Sequence, residues 1–134
     1  MSESLDFVFE RANSALITQD FEYAEWLLNN ALNKHPDMSP EDKEKIENLL
    51  ARIYGDEGDL ERSLEAYLRL YEREPDNVEL MLRLGRIYRH LERYDDALKI
   101  LEKAKDIGGD TDEVLYSFAK TYNINIYTIR ESFH

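Results

Sequence analysis

No cysteine occurs in the 134 residues, which excludes disulfides, thiol chemistry and cysteine-ligated zinc. Positive charge is also scarce: 17 lysines and arginines stand against 29 aspartates and glutamates, a net charge of −12. General affinity for nucleic acid or an anionic membrane needs a cation-rich surface. Both classes are disfavoured, though a local basic patch is compatible with the total. No apolar run approaches the roughly 20 residues of a membrane span. The start, Met1-Ser2-Glu3-Ser4-Leu5-Asp6, lacks the basic stretch and apolar run of a secretory signal, so a cytoplasmic protein is expected. Chemistry is equally thin. His35, His90 and His134 are isolated from one another, without the spacing of a zinc site, and no glycine-rich phosphate loop occurs. Neither an enzyme nor a cofactor is indicated. Charged residues make up 34% and hydrophobic residues 43%, an ordinary soluble balance for one domain with a real core.

What the chain does contain is a repeat. Leu50, Ala51, Tyr54, Gly58, Ser63, Tyr67 and Pro75 recur as Leu84, Gly85, Tyr88, Glu92, Ala97, Leu101 and Gly109. The pairs Ala51/Gly85, Tyr54/Tyr88 and Ser63/Ala97 are each 34 residues apart. Small residues between large apolar ones at that period indicate stacked helix-turn-helix units. The small residues Ala51 and Gly85 let paired helices approach. A more degenerate copy lies upstream in Ala12, Phe21, Ala24, Leu28, Ala31 and Pro36, where Arg11 and Ala15 take positions that are large and apolar elsewhere. Pro36 and Pro75 are 39 residues apart, five more than the period. The surplus falls at Ser39-Pro40-Glu41-Asp42-Lys43, where serine then proline suits an N-cap and first turn, so the insertion lengthens the following helix at its start.

Local signals place the other helices. Asp76 with Glu79 predicts a capping box and a helix from about Val78, with Met81, Leu84, Gly85 and Tyr88 on its inner face. Leu91 to Tyr94 is a turn. Asp95 and Asp96 open the next helix, where the dipole favours negative charge; Ala97, Leu98, Leu101 and Ala104 face inward, and Gly108-Gly109 ends it. In the preceding unit Leu50, Ala51 and Tyr54 form one face, Gly55 to Asp59 the turn, and Leu64, Tyr67 and Leu70 the second face. A last helix opens at Asp110 or Thr111, with Leu115, Phe118, Ala119 and Tyr122 inward.

This pattern resembles that of tetratricopeptide-repeat proteins over roughly residues 5 to 122. Departures are Val8, Glu47, Met81 and Leu115 in place of a tryptophan-type residue at the fourth position, and Gly109 in place of a proline. The resemblance implies an all-α right-handed superhelical solenoid of antiparallel helix pairs, forming one domain over residues 1–134. Its repeats would span about 5–38, 44–77 and 78–111, with a helical cap over 112–134. It also implies a concave groove lined by the first helix of each pair, which the family uses to bind peptides or other proteins.

On that expectation the non-core faces of the first helices supply the site. They present Lys45, Asn48, Arg52 and Asp56; then Leu82, Arg83, Arg86, Arg89 and His90; then Glu113, Tyr116, Lys120 and Asn123. Arg83, Arg86 and His90 project together at i, i+3 and i+7. Six cations (Lys45, Arg52, Arg83, Arg86, Arg89, Lys120) stand against three carboxylates (Asp56, Glu79, Glu113). Arginine forks suit carboxylates, so the expected ligand is a protein or peptide with an acidic segment or a terminal carboxylate. At the other end Phe9, Asn13 and Ile17 are candidates to receive an apolar side chain. The competing reading is a solvated face whose arginines pair with neighbouring acids such as Glu92, at little net energy. Some relatives clamp the terminal carboxylate of chaperone tails with five residues. Asn13 and Arg83 match two of those positions, whereas Phe9, Leu49 and Glu79 do not match the rest, so that particular clamp is not expected.

Two further features carry alternatives. Residues 117 to 133 resemble a helix-turn-helix DNA-binding pattern, with Ala119 as its small residue, Asn123 in the turn and Asn125 capping a reader helix from Ile126 to Phe133. Arg130 beside Glu131 is a poor phosphate contact. One unbroken helix would instead align Tyr122, Ile126, Ile129 and Phe133 in an apolar stripe for homo-oligomer formation or docking, since repeat arrays normally end in a polar face. Trp26 either packs against the lengthened helix after Pro40 or stands exposed as a partner anchor. The sequence therefore points to a non-enzymatic adaptor with a basic groove, next to an assembly module, and then to a DNA-binding regulator.

Overall fold

The structure, a computed structural model, describes residues 2–123 and 126–132. Within them eight α helices follow one another: α1 Ser2–Ile17, α2 Phe21–Lys34, α3 Pro40–Asp56, α4 Leu60–Arg73, α5 Val78–His90, α6 Tyr94–Gly108, α7 Asp112–Tyr122 and α8 Ile126–Ser132. The fold is all-α. The chain divides inside α4 into two compact units, Met1–Ala66 and Tyr67–His134.

The turn inside each helix pair is the same turn built three times. The amides of Asp20, Asp59 and Arg93 each reach back five residues, to the carbonyls of Ala15, Tyr54 and Tyr88, at 2.8 Å. The preceding residues, Gln19, Gly58 and Glu92, have φ of 60°, 87° and 60°. A left-handed residue closed by this six-to-one bond is the Schellman arrangement, which satisfies the last helix carbonyls. Only the middle repeat gives the left-handed position to glycine.

Entry into each following pair is equally regular. Ser39, Asn77 and Thr111 cap α3, α5 and α7, their side chains accepting from the amides of Asp42, Leu80 and Val114. Asn77 displaces the expected cap Asp76: its own backbone is extended while its carbonyl already accepts from Met81, as an N-cap requires. Glu79, the expected box partner, binds Arg83 instead. Pro40 opens α3, which has 17 residues against 13 in α5, so the insertion does lengthen the helix at its start. Gly55 lies inside α3, and the turn begins only at Glu57.

In the first unit Leu5, Phe9, Ala12 and Ala15 of α1 meet Ala24, Leu28 and Ala31 of α2, all buried. Ala15, at a position filled by a larger side chain elsewhere, is thus core. α2 packs on α3, which buries Ile46, Leu50, Ala51, Ile53 and Tyr54. Arg62 of α4 stacks 4.0 Å above the Tyr54 ring and bonds Glu25 of α2 at 3.1 Å, linking three helices. In the second unit Met81, Leu101, Ala104, Val114, Leu115, Phe118 and Ala119 form one cluster, with Leu98 packed against it. Gly85 permits that packing, because a Cβ there would stand 2.9 Å from Leu101 Cδ2. Tyr122 departs from expectation. It is 49% exposed, with one face stacked on Phe118 at 6.3 Å between centroids, because α7 ends there. Among the described residues no helix is long and apolar enough to cross a membrane, and no group of His, Asp and Glu is arranged to hold a metal ion.

Candidate functional site

The core stripe of α5 turns its other face outward, and the same holds for α7. Leu82, Arg83, Arg86, Arg89 and His90 therefore confront Glu113, Tyr116, Ser117 and Lys120 across an open cavity of about 1130 Å³. Asp112 and Thr121 of α7 and Arg130 of α8 complete its lining with Glu79. The cavity brings together eight of the residues expected to supply the site: Leu82, Arg83, Arg86, Arg89, His90, Glu113, Tyr116 and Lys120.

Its charges fall into two groups. Arg83 bonds Glu79 at 2.8 Å and Arg130 bonds Asp112 at 2.7 Å. The Glu79 hydrogen bond holds the Arg83 guanidinium protonated more firmly still. Arg86 and Arg89 have no carboxylate partner among the described residues, and Lys120 lies 5.4 Å above the Tyr116 ring without one. Partial desolvation, then the guanidiniums of Arg89 and Arg86, hold His90 below the ordinary imidazole range, so at neutral pH it is an uncharged donor and acceptor. Ser117 and Thr121 spend their hydroxyl protons on the carbonyls of Glu113 and Ser117.

Asn13, Lys45, Asn48, Arg52 and Asn123 do not line this cavity. In the first unit Lys45 sits 4.3 Å over the Phe9 ring, Asn48 donates to the Glu44 carbonyl at 3.0 Å, and Arg52 approaches Asp56 at 3.9 Å. Phe9 is 6% exposed and belongs to the core, whereas Ile17 is 83% exposed. Asn13 lines a separate cavity of about 710 Å³ with Phe7, Arg11 and Tyr23. There Arg11 lies 4.4 Å over the Phe7 ring and donates to the Tyr23 hydroxyl. Trp26 does not pack under α3. It is 58% exposed and stacks on Tyr23, centroids 6.4 Å apart and 11° between planes.

Sequence comparison places this arrangement. A family model described as tetratricopeptide repeat matches residues 48–110. Those residues are tetratricopeptide repeats. The eight helices of the described residues fit three repeats and a terminal cap. No curated protein sequence matches the chain, whereas solved tetratricopeptide structures match its fold. A tetratricopeptide repeat protein from Parabacteroides merdae ATCC 43184 aligns with TM-score 0.81 at 21% identity, covering 97% of this chain and 50% of that one. The P58(IPK) TPR domain gives 0.75 at 15% identity, covering 94% and 34%. MamA of AMB-1 gives 0.70 at 20%, covering 89% and 62%. The chain thus spans between a third and two thirds of the length of these three, and at such identities the likeness is one of fold.

The end of the tetratricopeptide array corrects one expectation and refines another. Asn123 is left-handed, φ 56° and ψ 46°, and breaks α7 from α8. α7 ends at Tyr122 and α8 begins anew at Ile126, so the two do not form one unbroken helix. The side chains of Ile126 and Ile129, and Asn125 and Phe133 altogether, lie outside the described residues. The left-handed turn matches the helix-turn-helix reading, yet Arg130 is spent on Asp112. Arg130 as a lining residue escaped the sequence analysis because it reaches the cavity from α8, beyond Asn123; Asp112, Ser117 and Thr121 of α7 were also not foreseen there.

Proposed function

We propose that this tetratricopeptide-repeat protein is a non-enzymatic cytoplasmic adaptor holding an acidic or carboxylate-bearing segment of a partner protein between α5 and α7. The fold itself supports a protein-interaction role. One observation carries the finer reading: Arg86 and Arg89 face the cavity without carboxylate partners among the described residues, on a chain whose net charge is −12. Exposed ion pairs add little stability, so the guanidiniums are not there to hold α5 in place. Left free, their planar forks are ready for a bidentate carboxylate. Leu82 and Tyr116 in the same lining offer apolar contact beside the charges. Among the first-unit residues, Lys45, Asn48 and Arg52 support binding less directly, since each has a local engagement.

The test is fluorescence anisotropy with an array of labelled Asp/Glu-rich decapeptides ending in a free carboxylate. Binding by the wild type is expected to weaken about tenfold or more in Arg86→Glu/Arg89→Glu, and to fall as salt screens the charges. Equal binding by wild type and a variant of unchanged helicity, or no binding by either, would sink the proposal.

A further inference from the structure

The net charge left in the α5–α7 cavity narrows the ligand class, an inference that rests on the binding role just proposed. Arg83 is neutralised by Glu79 and Arg130 by Asp112. Arg86, Arg89 and Lys120 then face a single remaining carboxylate, Glu113, an excess of two positive charges. Arg86 and Arg89 share a face of α5, three residues apart, while Lys120 comes from the opposite wall on α7. A ligand between them therefore meets cations from two sides.

A carboxylate would balance only one of those charges. A phosphate monoester carries about −1.5 to −2 at neutral pH and three strong acceptor oxygens, which equals the excess and suits forked guanidiniums and an ammonium together. Nucleic acid does not fit as well: each diester carries one charge, and a polyanion would meet the repulsion of a chain of net charge −12. We infer that the groove between α5 and α7 is a phosphopeptide site, in which Arg86, Arg89 and Lys120 take the dianion of a phosphorylated serine or threonine on a partner protein.

The experiment uses the full chain, immobilised, and three degenerate peptide pools that differ only at a fixed central position: phosphoserine, glutamate or serine. The phosphoserine pool is expected to be retained about tenfold more strongly than the glutamate pool. In Arg86→Gln/Arg89→Gln that advantage should disappear, with circular dichroism and melting unchanged because both side chains face the cavity. Equal retention of the phosphoserine and glutamate pools, both lost in the variant, would overturn the dianion inference and leave the acidic groove standing. Phosphoserine retention that persists in the variant would also overturn it. Retention of no pool would overturn both.

Discussion

The hydroxyl of Ser63, 1% exposed, donates a 2.8 Å hydrogen bond to the carbonyl of Ala51. A side chain of α4 is thereby tied to the main chain of α3. The position 34 residues later is Ala97, fully buried and without a hydroxyl, so the same packing is reached there by size alone. In the middle repeat Gly55 is fitted to the serine, since a Cβ on it would lie 3.2 Å from Ser63 Oγ.

Ser63→Ala is expected to cost about 1 kcal/mol, the net worth of one buried hydrogen bond, reduced by a few tenths because alanine is the better helix former. Ser63→Val should cost about 2 kcal/mol or more by crowding Gly55. Urea unfolding followed by circular dichroism measures both. A more stable Ser63→Ala would show that the bond gives no net stabilisation.

Gly85 sets a second test, in the other repeat. An alanine there gains about 1 kcal/mol in helix propensity but drives a methyl to 2.9 Å from Leu101 Cδ2, against an overpacking cost of about 1–3 kcal/mol. Leu101 is fully buried, so the clash should win and Gly85→Ala should melt lower. Gly85→Leu should prevent α5 and α6 from packing at all. A higher melting temperature for the alanine variant would mean that Leu101 yields freely.

His90 links stability to pH. Its native pKa lies below that of the unfolded chain, through desolvation and then Arg89 and Arg86. The unfolded chain therefore binds the proton first, and stability falls as pH drops through about 6.5 towards the native value, then levels. Above that window His90 contributes no pH dependence. His90→Gln should flatten this part of the stability profile in denaturant titrations from pH 7.5 to 5. Histidine proton shifts in NMR read the pKa directly, and a value at or above that of a free imidazole would contradict the assignment.

Trp26 is the single tryptophan and more than half exposed. Its emission should be water-like and readily quenched by iodide. Trp26→Ala should change stability by no more than about 0.5 kcal/mol, because little packing is lost. A blue-shifted, unquenchable signal would instead place the ring in an interface, such as one between copies of the chain.

How much of this was legible beforehand depended on whether a residue acts locally. The 34-residue spacing and the pair Ser39-Pro40 marked helix starts because capping needs only neighbours in sequence, and the last start, expected at Asp110 or Thr111, is Asp112 with Thr111 as its cap. Most of the inward faces of α3 to α6 followed from period, although Tyr88 is only half-buried and Ile46, Ile53, Leu80 and Ile87 join the core beside the residues expected there. Asp76 misled because aspartate and asparagine side by side are both good caps, and only backbone geometry chooses between them. Trp26 was left open between packed and exposed because an aromatic side chain suits a core or a surface equally. The cavity was legible from α5 and most of α7, whereas Arg130 was not, since it arrives by way of a left-handed Asn123. Phe9 was placed in the wrong class because the face it shares with Asn13 shifts once Ala15 joins the core.

The three Schellman turns carry a consequence for the order in which the chain folds. Gln19 and Glu92 adopt a backbone that costs a non-glycine residue about 1 kcal/mol, so those hairpins close only when helix packing compensates. Gly58 carries no such penalty, and its hairpin can close on local preference. Folding should therefore begin in the middle repeat and spread to its neighbours, as linear arrays allow. Stopped-flow refolding tests this: Gly58→Ala should slow folding, whereas Glu92→Gly should chiefly slow unfolding. One of the two repeats with a clear sequence signature is then also the one from which the others take their shape.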